Sequence, residues 1–185
     1  MRPTSFRFKP VKAMQAAAVL LDAEQTKQMS YYRLLKLLYF ADRRHLQETG
    51  RPIIGGRTVA MDQGPLSSQV YDLIRKEHSA YPEWSQFFRI HGRYIEMLKH
   101  PGNGELSRRE IRTLLAEAKK FEDREDDELG VIAHRLKEYQ DNYVAGTSTV
   151  IPLSDIVRAV GRADEEAAIL KDAEQAAVLD RILGE

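Results

Sequence analysis

The sequence predicts a mainly α protein with a small antiparallel β-sheet or hairpin, an α+β fold built as a compact helical bundle around one central helix over 31–49. Three observations predict it. The stretch from 30 to 49 opens with the most apolar run of the chain and is bracketed by a capping serine and a glycine–proline stop. Most of the remainder shows apolar residues at helical spacing between recognisable caps. Only two short runs alternate in the manner of strands, one near 58–62 and one across 88–97.

Size and charge bound the possibilities. The chain has 185 residues, 43% of them hydrophobic and 30% charged, enough for one domain with a real core. Its 28 basic residues balance 28 acidic ones, so no global field points to nucleic acid or a membrane. With no cysteine, disulfides, thiolate metal sites and a cysteine nucleophile are excluded. No run approaches a membrane span, and residues 1–10 carry no apolar leader core. A soluble cytoplasmic protein is the expectation.

Residues 1–9 alternate Phe6 and Phe8 with basic residues and form an extended arm. Pro10 suits the first turn of an Ala-rich helix over 10–26, whose small side chains let it approach the central helix closely. Ser30 caps the central helix, and Gly50 with Pro52 ends it. After a tight turn at Gly55-Gly56, residues 58–62 alternate as a strand, and Gly64-Pro65 is a turn signal. Ser67 or Ser68 caps a helix running to 76, with Val70, Tyr71 and Ile74 facing inward. Residues 78–84 read as loop. The hairpin at 88–97 turns at His91-Gly92-Arg93. Ser107 and Glu110 form a capping box for a helix to 121. The acidic run 122–128 leads into one helix over 129–144, a connector over 146–152, a short helix capped by Ser154 and ended by Gly161, and a last helix over 164–183.

Projection of the central helix places Arg33, Lys36, Arg43, Arg44 and Gln47 on one narrow stripe, with Phe40 among them. Phe40, Arg33, Lys36, Arg43 and Arg44, together with Trp84 and Phe87, are the candidate contacts for a protein partner. The stripe is covered either by this chain's own arm or last helix, or by the partner. Asp42 falls on the leucine face with His45 three residues on. A carboxylate there needs a designated partner, which could be His45, an arginine or backbone amides. The order helix, strand, helix, hairpin suggests a winged helix, with Arg89, His91 and Arg93 at the tip as candidate phosphate contacts. The preceding helix is poorly stocked for base readout, so nucleic acid is the less favoured partner. None of the five histidines makes a metal-ligand pair, and no nucleophile elbow or phosphate-binding loop is present. No enzyme activity, cofactor or metal is expected.

The run KLLYFADRRHLQETGRPIIGGRTVAMDQGPLSSQVYDLI resembles the core of the Panacea, or SocA-like antitoxin, domain. That family's pattern is a K-L-L-Y-F-A helix, a G-R-P-I turn, an aliphatic strand, then G-P and a V-Y-D helix. Every block is present in order. His134 matches a helical histidine further downstream; the tryptophan that often follows is absent, and Tyr139 or Tyr143 fills its volume. The resemblance implies a bacterial or phage antitoxin that neutralises a cognate toxin by direct binding, and in at least one branch an adaptor delivering the toxin to a protease. It implies structural rather than catalytic roles for Asp42, His45, Gly64, Pro65, Tyr71 and His134. The expected organisation is an antitoxin domain over 1–161 and a C-terminal helix over 162–185, packed on that domain, on a partner or on a second copy.

Overall fold

A computed structural model describes residues 4–183, with side chains placed to 178. Among these residues the fold is α+β, mainly α, with two small antiparallel three-stranded sheets. The elements in order are α1 (Pro10–Asp22), β1 (Gln28–Ser30), α2 (Tyr31–Thr49), β2 (Thr58–Met61), β3 (Gly64–Ser67), α3 (Ser68–Ile74), α4 (Tyr81–Phe87), β4 (Phe88–His91) and β5 (Tyr94–Met97). There follow α5 (Arg108–Lys120), α6 (Asp126–His134), α7 (Lys137–Gln140), β6 (Thr149–Ile151), α8 (Leu153–Ala159) and α9 (Glu166–Leu183).

Helix α2 is the axis of the molecule. The Ser30 hydroxyl accepts from the Arg33 amide, and Gly50 closes the helix in the left-handed region at φ 79°. Eleven residues of α2 are buried, because α1, α5, α6 and sheet elements surround it. Leu34, Leu37 and Leu38 are essentially sealed from water. Each contributes about 1.5–3 kcal/mol relative to an exposed leucine. Helix α1 buries Ala13, Ala16, Ala17 and Ala18 completely, which lets it lie close against α2 and α5.

The first sheet has the order β1-β5-β4 and the second β3-β2-β6. Gly92, at φ 58°, starts the two-residue turn of the β4–β5 hairpin, a backbone region where an L side chain is strained. Strand β1 pairs with β5 through Met29↔Ile95. In the second sheet, Asp62-Gln63 make the turn, and Gly64-Pro65 already belong to β3, opposite Met61 and Ala60. Pro65 is tolerated because β3 is an edge strand.

Several expectations are corrected. Helix α1 ends four residues early, at Asp22. Residues read as loop form α4, which starts with a proline in its first turn and sinks Trp84 against Phe88 at 4.4 Å between ring centroids. The helix expected over 129–144 breaks at Leu136, whose extended backbone (φ −69°, ψ 132°) starts α7. The amides of Arg135 and Leu136 bond back to the carbonyls of Ile132 and Ala133, tightening the last turn of α6. The connector over 146–152 contains β6, which completes the second sheet. The cap of α8 is Pro152, not Ser154.

Candidate functional site

The basic stripe of α2 is not a free surface. Arg33 and Lys36 are 9% and 1% exposed, and Phe40 stacks on Phe121 at 5.0 Å. The physical reason is that other elements supply acceptors for each cation. Arg33 donates to the carbonyls of Phe121 (2.6 Å) and Arg124 (2.7 Å), just past the C-terminal end of α5, where a cation complements the helix dipole. Arg43 Nε donates to Glu138 at 2.6 Å, and Arg44 donates to Glu48 (2.9 Å) and Glu117 (3.1 Å). Arg33, Lys36, Phe40 and Arg43 are thus covered by α5, β3 and α7 rather than by the arm or the last helix, while the Arg44 side chain stays 41% exposed. Trp84 is fully buried and Phe87 half-buried.

Glu138 is the residue that sequence reasoning missed. It is completely buried and accepts from the Tyr39 hydroxyl (2.7 Å) as well as from Arg43. Burial, then the neighbouring carboxylate, hold the Tyr39 phenol well above its ordinary range. No local signal marks Glu138, since the sequence reads Lys137–Gln140 as part of one continuous helix over 129–144. Only the break at Leu136 turns it inward. The same break stacks His134 on Tyr139 (4.9 Å) and Tyr139 on Tyr143 (5.1 Å), with the Tyr139 hydroxyl donating to the Met61 carbonyl at 3.0 Å.

Asp42 and His45 are not joined. Asp42 Oδ1 accepts from the amides of Ile53 (2.9 Å) and Ile54 (3.0 Å), while His45 Nδ1 lies 2.7 Å from the Arg51 carbonyl oxygen. Both residues therefore pin the turn after α2. Burial pushes the Asp42 carboxyl up to about 7, against the pull of the turn amides. Asp42 stands in the wall of a cavity of about 500 Å³ with Phe6, Tyr39, Arg43, Arg57 and Gln69. The arm lies along this turn: the Gly56 amide donates to Phe6 O at 2.8 Å and the Lys9 amide to Ile54 O at 3.0 Å. A side chain at Gly55 would put its Cβ 2.5 Å from the Arg7 carbonyl, so only glycine permits this approach.

The other end of α2 borders a second cavity of about 480 Å³, lined by Tyr31, Tyr32, Lys36, Met61, Asp62 and Tyr71 among others. Lys36 donates to Pro65 O at 2.9 Å, and a Cβ on Gly64 would sit 3.1 Å from its Nζ. Desolvation alone brings the Lys36 ammonium down to about 7. Tyr71, expected to face inward, is half-buried with the Arg75 guanidinium 5.4 Å from its ring centroid.

The hairpin follows α4 directly, and β5 is the central strand of a sheet with β1. Its exposed tip is charge-balanced. Arg89 donates to Glu96 at 2.7 Å, His91 lies 4.0 Å from the same carboxylate, and Arg93 lies 3.7 Å from Asp126. Cations already matched by carboxylates release few counterions on meeting a phosphate backbone.

Among the described residues no cluster of three or more His, Asp or Glu is placed to hold a metal ion, and no helix is long and apolar enough to cross a membrane. Helix α9 buries Ile169 and Ala173 against α8 and the end of α2, and Asp172 accepts from Arg51 at 2.6 Å.

The family model of the antitoxin SocA-like, Panacea domain matches residues 34–140, from the second turn of α2 to the end of α7. The chain belongs to that family. Comparison with curated proteins and with solved structures found no match.

Proposed function

We propose that the chain is an antitoxin that acts in the cytoplasm by binding a cognate toxin directly, without catalysing a reaction. Membership of the SocA-like Panacea family over 34–140 carries this reading. The geometry supports a binding role in one specific way. The conspicuous polar residues of α2 are engaged inside the molecule, as staples for the turn, for α5 and for α7. Contacts with a toxin then fall to the outer surface. Tyr94 and Leu98 in and just after the hairpin, Val131 of α6, and Tyr143 and Val144 after α7 are exposed apolar residues suited to such contacts. In this reading 1–161 is the antitoxin domain and 162–185 a helix that buttresses it.

Co-expression with the product of the adjacent open reading frame tests the proposal. The expected result is rescue of growth together with a complex that survives size-exclusion chromatography. A toxic neighbour that is neither bound nor neutralised overturns it. Toxin half-life in the same cells separates occlusion, which leaves it unchanged or longer, from delivery to a protease, which shortens it.

A further inference from the structure

Four cations lie on the stripe of α2, and three of them are matched. Arg33 has two carbonyls, Arg43 has Glu138, and Arg44 has Glu48 and Glu117. Lys36 is the most buried of the four, at 1% exposure, yet its one hydrogen-bond acceptor among the described residues is Pro65 O. An ammonium carries three N–H donors, so two remain unspent. Among the described residues no carboxylate pairs with it. Asp62, which shares the cavity wall, accepts through Oδ1 from the Tyr143 hydroxyl (2.9 Å) and the Gly146 amide (2.8 Å). The nearest compensation is the Tyr32 ring, 5.1 Å from Nζ. A buried cation without an anion costs several kcal/mol, and proteins retain one where something else offsets the cost.

The surroundings are built for an occupant. Gly64, at φ 97°, packs closely on Lys36: a Cβ there would sit 3.1 Å from Nζ and 3.3 Å from His134 Cδ2, so a side chain would displace both. His134 flanks the same glycine, and its Nε2 is buried without a hydrogen-bond partner among the described residues. The cavity of about 480 Å³ lies within the range of small-ligand sites, and Tyr31, Tyr32, Leu35, Met61, Leu66 and Tyr71 give it an aromatic and apolar side, facing the polar Asp62, Gln63, Thr147 and Ser148. The titratable groups facing Lys36 are therefore Tyr31 and Tyr32 of α2 itself, Asp62 of the β2–β3 turn, Tyr71 of α3 and His134 of α6.

We infer that this cavity is a carboxylate-binding pocket with Lys36 as its cation, accepting one acid group on an apolar or aromatic body. One cation in an aromatic cage suits a monocarboxylate; a phosphate dianion would call for several donors and more positive charge. The acid belongs either to a small organic molecule or to an acidic side chain presented by the partner protein. The second source rests on the antitoxin reading above. Binding of either restores the ammonium, whose titration burial has lowered to about 7, to the charged form.

The test uses the full chain with 3-phenylpropanoate and its uncharged amide as probes. The acid is expected to bind saturably at pH 8 with uptake of a proton, and to shift the titration of the Lys36 side chain, followed by NMR, toward the ordinary lysine range. The amide is expected to bind about tenfold or more weakly. Equal binding of acid and amide, or no binding of either, overturns the inference on the unaltered chain, whether or not the Lys36→Met variant folds. Where that variant folds, unchanged binding of the acid also overturns it. A competition arm distinguishes the sources. Saturating acid that weakens the antitoxin–toxin complex assigns the pocket to a partner side chain, and a complex indifferent to bound acid assigns it to a free ligand. A cognate toxin that fails to bind at all refutes the antitoxin reading, while the acid–amide comparison still decides the pocket.

Discussion

Asp42 and Lys36 sit six residues apart on one helix, and burial moves both toward the same titration point, about 7. Their surroundings differ. Asp42 Oδ1 accepts from two amides of the turn that follows its own helix. Both border a cavity, but the Lys36 ammonium holds a single carbonyl. The difference teaches that a displaced pKa does not by itself mark a site of action. What separates the two is the count of bonds: Asp42 Oδ1 staples two turn amides, whereas Lys36 Nζ holds one carbonyl.

The sharpest way to break the comparison is Asp42→Ala. Two amides lose their acceptor, and each buried orphan costs about 1–3 kcal/mol, so unfolding in urea is expected to show a loss of about 3 kcal/mol. Asp42→Asn keeps the Oδ1 acceptor and is expected to stay within about 1 kcal/mol of the parent. Equal damage from both would mean that the charge, not the acceptor, holds the turn.

Stability against pH sharpens the contrast, because the two groups have opposite signs. Between its ordinary value of 3.8 and about 7, Asp42 holds a proton in the folded chain that the unfolded chain has released, so its contribution falls as pH rises. Between about 7 and 10.5, Lys36 is neutral when folded and protonated when unfolded, so its contribution rises with pH. The difference curve between parent and Asp42→Asn should carry only the falling limb, and that between parent and Lys36→Met only the rising one. A difference curve that is flat across its assigned limb would show that the group titrates normally.

The smallest effect belongs to the hairpin tip. The Arg93 side chain is 69% exposed and 3.7 Å from Asp126, so Arg93→Ala should change stability by less than about 0.5 kcal/mol. A larger loss in thermal unfolding would make that pair part of the fold and not of the solvated surface.

Features legible in the sequence are those whose partners lie within a few residues. Ser30 and Gly50 bound α2, Ser107 and Glu110 box the start of α5, and Gly92 turns the hairpin, all through local backbone geometry. The motif run also led to the family, and Asp42 was recognisable as a carboxylate in need of a partner. The cover over the stripe was not legible, because the acceptors come from distant segments: Phe121 for Arg33 and Glu138 for Arg43. Spacing alone gives a helix its faces, but not what covers them. The break at Leu136 carries no glycine or proline, so helical periodicity ran straight through it. Helix α4 was missed because it is short and lacks a side-chain cap.

The pairing of β2 with β6 has a consequence for synthesis. Thr58 meets Ile151 and Val59 meets Val150, so the second sheet waits for strand partners made much later. At about 5–20 residues per second, roughly 90 intervening residues take on the order of 5–20 s to emerge. Through that interval the β2–β3 hairpin stands on the ribosome with the β6-facing edge of β2 unpaired, the kind of edge that invites the wrong neighbour. A factor that shields the nascent hairpin until Ile151 arrives would therefore raise the yield of folded protein without touching the finished structure.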